Sequence, residues 1–191
     1  MTASRPGSEG GARQSADLAG AQPREPAQEN QPKGNLKSRK IAFLVEAGVS
    51  GADADKMRSA LTSAGAVVQE VSTRLGDLKS AEGKAVEVKK TFLNSASIFY
   101  DAVYLPGRKA SVETLLHSGA ALYFVNEAFR HCKAIAATGE GMTLLEASEI
   151  PDVAAAAGVV TGDRAGAAAV GFAAAIGMHR HWDREDKAIP A

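Results

Sequence analysis

The pattern of apolar and polar positions divides the chain near residue 38. Before that point polar residues and Gly predominate. Leu18 and Leu36 are the only large aliphatics, and Pro6, Pro23, Pro26 and Pro32 are four of the seven prolines. Such a segment buries too little apolar surface to offset roughly 1–2 kcal/mol of backbone entropy per ordered residue. Residues 1–38 are therefore expected to be a disordered tail or linker. From residue 39 short apolar runs alternate with helical spacings. Residues 39–45 read as a strand buried on both faces, followed by a loop over 46–51. Met57, Leu61 and Ala64 mark a helix that Gly65 stops. A second strand is predicted over 66–71, a short edge strand over 86–91, and a longer strand over 97–105 ended by Pro106 and Gly107. A helix follows over 111–119, then a brief apolar stretch over 121–125, then a helix over 127–132 capped by Asn126. The remainder reads as a strand over 133–137, a helix over 142–148, a last short strand over 159–161 and an Ala-rich helix over 165–179.

Strands alternating with helices imply one α/β domain over 39–191, with a mainly parallel sheet covered on both faces. Ligands of such sheets sit beyond the carboxyl ends of the strands. The loops at 46–51, 106–110 and 138–141 are expected to converge there.

The last of these loops carries the sharpest local signal. A buried strand runs into Thr138, Gly139, Glu140 and Gly141 and then into a helix. A turn of this kind presents a Ser or Cys nucleophile in many α/β enzymes, held in backbone geometry that often needs φ above zero. Glycine adopts that geometry with little steric cost. Here the apex lacks both Ser and Cys, so the turn is retained while the reagent is missing. Thr138 is the one hydroxyl at the elbow, one residue off the apex.

Composition narrows the functional classes. The 22 basic and 22 acidic residues cancel, which leaves no electrostatic footprint for nucleic acid or an anionic membrane. No apolar run approaches the roughly 18 residues that span a bilayer. The first residues lack the apolar core of a secretory signal. With one cysteine, Cys132, an internal disulfide is excluded. A cytoplasmic protein is the default expectation. No P-loop or dinucleotide fingerprint is present.

Three strings together resemble a known family: residues 97–107 (Ser97 to Gly107), 126–137 (Asn126 to Ala137) and 172–185 (Phe172 to Glu185). They look like the C-terminal domain of large-subunit catalases, over about residues 38–191. The resemblance implies a flavodoxin-like, three-layer αβα sandwich of the class I glutamine amidotransferase-like and intracellular-protease-like superfamily. Catalytic members of that superfamily carry an Ala-Ile-Cys-His-Gly type of elbow. Laid onto this chain, the Cys position falls on Gly139, the His position on Glu140 and the following Gly on Gly141. The acidic partner has no clear counterpart, Asp53 and Asp55 being the nearest carboxylates, and the usual Pro-Gly-Gly is Pro106, Gly107 and Arg108. The resemblance thus implies no catalytic residues, no haem or other cofactor in this chain, and a role in oligomer stabilisation or chaperone-like contacts. The implied partners are a second copy in a homodimer, a catalase core, or unfolding client proteins. The alternative is a small glyoxalase or hydrolase with an unorthodox site.

Other residues read more plainly. Cys132 precedes its strand and is expected at the amino end of the sheet as a small hydrophobe. Glu140 fits an acid offsetting the positive end of a helix dipole. His179 and His181, two apart at the end of a helical pattern, are expected to diverge instead of chelating a metal. Trp182 is expected to anchor the C-terminal segment or to contact a partner. The Ala-rich stretches at 153–160 and 165–177 are candidates for a self-association face.

Overall fold

The computed structural model describes residues 35–148, 150 and 152–184. Its centre is a six-stranded parallel sheet ordered β5-β2-β1-β6-β7-β8. The strands are β1 (Lys40–Leu44), β2 (Val67–Ser72), β5 (Lys90–Thr91), β6 (Ala102–Leu105), β7 (Ala134–Thr138) and β8 (Val159–Gly162). A separate antiparallel hairpin joins β3 (Gly76–Lys79) to β4 (Ala85–Val88). Helices α1 (Gly51–Ser63) and α5 (Ala165–Gly177) lie on one face; α2 (Lys109–Leu116), α3 (Gly119–Arg130) and α4 (Gly141–Glu146) lie on the other.

Alternation along the central strands builds these two layers. Ile41 and Phe43 enter one core with Met57, Leu61 and Phe172, while Ala42 and Leu44 enter the other with Phe124, Phe129 and Leu144. Ala134 and Ala136 on the α5 side of β7 leave room for larger neighbours. Tyr104 fills that room, with its ring centroid 4.8 Å from Phe43 and 6.3 Å from Phe172. Each fully buried side chain of this size contributes roughly 1.5–3 kcal/mol.

Several expected elements change. Residues 97–105 do not form one strand: Ser97–Phe99 is a 3-10 turn, and the strand starts at Ala102. Asp101 sets that start, because its N–H donates to the Lys40 carbonyl while its carboxylate accepts from the Lys40 N–H and from Arg39. The expected edge strand over 86–91 splits between two sheets, β4 pairing with the unforeseen β3 and β5 pairing with β2. Asn126 caps nothing. The Ser118 hydroxyl accepts from the Ala121 N–H, and one helix runs through Asn126. Its buried positions, Ala121, Phe124, Val125, Ala128 and Phe129, keep helical spacing throughout. Leu36, expected in the tail, is buried in the core. The remainder of the expected tail, up to residue 34, lies outside the described residues.

Candidate functional site

The strand-end rule leads to a cavity. A cavity of about 270 Å³ opens at the carboxyl ends of the strands, where Ser50 and Asp53, Gly107 and Arg108, and Gly139 and Glu140 meet. The three anticipated loops are thus brought together. Two walls were not anticipated: Asp163 and Arg164 from the end of β8, and Glu82 from the β3–β4 connection. The rule applied to β8 would have found the first pair. Glu82 carries no local signal, because the hairpin that delivers it went unread.

The elbow takes the expected geometry. Gly139 has φ +50°, and a Cβ built on it would meet nothing closer than the Asp163 carbonyl at 3.4 Å. The apex therefore has room for a side chain and lacks one. Gly107 and Gly141 are different. A Cβ there would lie 2.7 Å from the Thr138 carbonyl and 2.2 Å from the Leu105 carbonyl respectively, so these two glycines are demanded by close backbone packing.

Thr138 is turned away from the cavity chemistry. It is 1% exposed, and its hydroxyl is 2.8 Å from the Tyr104 hydroxyl in the core. Burial pushes the Tyr104 phenol up to about 12, with the Thr138 bond acting against that rise. A phenol so placed does not serve as a base at neutral pH.

Glu140 does more than sit at a helix end. It is the residue before α4, and its side chain makes no capping bond to that helix. Instead its carboxylate takes hydrogen bonds from its own backbone N–H and from the Arg108 N–H, the latter at 2.9 Å, and these two bonds hold its pKa below the usual carboxylate range. In acyl-transfer sites of α/β enzymes the oxyanion hole is built from the N–H after the nucleophile and an N–H from a neighbouring strand-end loop. The Glu140 carboxylate occupies the corresponding pair. Arg108 meanwhile holds φ +110°, a left-handed value that glycine adopts far more easily. The missing second glycine of the Pro-Gly-Gly pattern therefore appears as a strained Arg108.

Several other carboxylates are likewise committed. Ser50 caps α1, and Asp53 accepts from the Ser50 hydroxyl and from the Ala165 N–H, which ties the starts of α1 and α5 together. Asp53 thus reaches the cavity wall, whereas Asp55 stays exposed beside Arg58. Glu82 accepts from the Gly51 N–H at 2.9 Å. Deeper in the fold, Glu46 is 3% exposed and one of its oxygens accepts from Ser72 and from both the N–H and hydroxyl of Thr73, pinning β1 to β2.

The other anticipated residues lie at the opposite end of the sheet. Cys132 is buried just before β7, as expected. His179 and His181 diverge, with His179 Nδ1 2.6 Å from Arg39 and His181 Nε2 3.0 Å from the Ala175 carbonyl. Among the described residues no group of three or more His, Cys, Asp or Glu could hold a metal. Trp182 is only half-buried, and the anchor is Arg184. Arg184 is 1% exposed, donates to the Lys133 carbonyl and lies 4.4 Å over the Phe129 ring. The buried Tyr100 and Tyr104 hydroxyls are bonded to Ser95 and Thr138 in the core.

This architecture is that of the DJ-1/ThiJ/PfpI-like α/β proteins. A two-domain protein of Anabaena variabilis containing DJ-1/ThiJ/PfpI-like and ferritin-like domains superposes with a TM-score of 0.56 and 24% identity, over 59% of this chain and 32% of that one. Oxidised DJ-1 of Toxoplasma gondii gives 0.52 and 22%, over 57% and 64%. At such identities the likeness establishes the flavodoxin-like fold alone. Sequence goes further: residues 37–186 match the C-terminal domain found in long catalases, and the chain belongs to that family. Catalase HPII of Pseudomonas aeruginosa is 32% identical over 167 residues, covering 86% of this chain and 23% of the relative. Catalase HPII of Mycobacterium avium is 35% identical over 169 residues, covering 82% and 24%. The chain spans less than a quarter of the length of these relatives, and the match is to their C-terminal domain.

Proposed function

We propose that this chain is a non-catalytic domain that works through protein contacts, stabilising an oligomer of itself or of a catalase core and shielding unfolding clients. The observation that carries this reading is the state of the elbow. Its apex is Gly139, and both N–H groups placed to bind a developing oxyanion are held by the Glu140 carboxylate. Chemistry of the superfamily type needs an activated thiol or hydroxyl. The nearest hydroxyl, Thr138, is bonded to Tyr104 in the core. Because hydrogen bonds lower the Glu140 pKa, the carboxylate is ionised at neutral pH and the N–H pair stays filled. Peroxide dismutation and haem binding are assigned to the portion of the relatives that this chain does not span.

Sedimentation velocity at micromolar concentration tests the reading, paired with suppression of thermal aggregation of an unrelated client. Self-association together with client protection is the expected result. A strictly monomeric protein that leaves the client unprotected removes both contact functions and reduces the domain to a tethered structural module.

A further inference from the structure

The Ala-rich helix expected to supply a contact face spends most of it internally. In α5, Ala165, Ala168, Phe172 and Ile176 are buried in the core shared with α1, and Val170, 81% exposed, is the large apolar residue left outside. A wider apolar surface lies elsewhere. Leu93, Ile98, Phe99 and Tyr123 are 93, 69, 62 and 62% exposed. Ile98 and Tyr123 flank a cleft of about 240 Å³ between the 3-10 turn at Ser97–Phe99 and α3, with Phe92 and Phe124 also lining it. Leu93 and Phe99 adjoin these residues in the chain.

We infer that this surface is a twofold interface with a second copy of the chain; the inference rests on the self-association proposed above and names its face. Three observations select that occupant. A twofold contact is isologous, so one patch must carry both what inserts and what receives. Here exposed Ile98 and Tyr123 line an open apolar cleft. The four exposed side chains present roughly 500–600 Å² per copy, at the top of what a monomer shows. Two copies reach about 1,000 Å², the lower bound of a specific interface, before the edges are counted. Charge also permits the pairing. The chain has zero formal net charge, and the edge of the cleft carries both signs, Glu127 beside Arg130 and His131. Glu127 is already paired with Arg130 within the chain, so the edge of the cleft brings no uncompensated carboxylate to the contact.

The test is sedimentation velocity on the full chain, comparing wild type, the double variant Phe99→Asp with Tyr123→Asp, and Val170→Asp. All three substituted side chains are exposed, so thermal melts followed by circular dichroism should be close to wild type. The expected result is a wild-type dimer, a double variant with a dissociation constant raised roughly 100-fold or more, and an unchanged Val170→Asp. A dimer that survives the double substitution, or that Val170→Asp dissolves, overturns this face while leaving self-association intact. A monomeric wild type overturns both.

Discussion

Lys133 gives the most quantitative test of the packing described above. It is 2% exposed, and its Nζ donates to the Ser97 carbonyl at 2.6 Å. No carboxylate forms an ion pair with it among the described residues; Asp101 and Glu127 act on it only at longer range. Burial, reinforced by Arg180, lowers its pKa from 10.5 to about 8. A shift of that size corresponds to about 3 kcal/mol of unfavourable charge burial when the amine is protonated. The cost is present in full below pH 8. Between pH 8 and 10.5 the unfolded chain binds more protons than the folded one, so this group raises stability as pH rises, and above 10.5 its cost is gone. Lys133→Met removes the charge but leaves the Ser97 carbonyl without its donor, which costs about 1–3 kcal/mol. At pH 7 the variant is therefore expected to equal wild type or exceed it by up to about 2 kcal/mol. By pH 10 wild type should have gained about 2–3 kcal/mol on the variant and become the more stable protein. Other titrating groups are common to both proteins and cancel in the difference. Urea unfolding followed by circular dichroism at pH 7, 8.5 and 10 measures it. A difference that stays constant across this range would show that Lys133 titrates as a solvated amine, and would refute the argument.

Four further outcomes follow from how these positions are packed. Gly141→Ala drives a Cβ into the Leu105 backbone and is expected to cost at least about 2–3 kcal/mol. Gly139→Ala has space and should lose only about 1–2 kcal/mol, the cost of its left-handed φ; chemical denaturation distinguishes the pair, and equal losses would contradict the packing. Phe172→Ala removes a ring buried against Tyr104 and should cost about 3–5 kcal/mol by the same measurement. Gly139→Cys should fold and place a thiol at the cavity that iodoacetamide labels more than the buried Cys132, as mass spectrometry of the two cysteine peptides would show.

The parallel core was legible because its strands are short apolar runs with nothing else to be. The stretches 39–45, 66–71 and 133–137 read correctly to within a residue or two. Pattern failed where tertiary bonds overrule it. Ile98 and Phe99 look like strand, but Asp101 pins the strand start beyond them and leaves both exposed. The β3–β4 hairpin was missed because β3 is polar apart from Leu78, so Val86 and Val88 were read into one edge strand without their true partner, and Glu82 was lost with the hairpin. At the elbow, Gly139 and its positive φ were readable from the strand–glycine–helix pattern, and the family from strings in three places. What the sequence withheld was where the Glu140 carboxylate goes, since a bond to Arg108, 32 positions away, leaves no local trace.

The central claim, that the elbow is a retained turn without chemistry, is tested most directly by turnover. Purified full-length chain incubated with methylglyoxal and with peptidase substrates should consume none above buffer. Thr138→Val, which keeps the side chain's shape while removing its hydroxyl, should behave identically. Catalytic consumption of either substrate by wild type that Thr138→Val abolishes would contradict the account and show that the elbow carries chemistry.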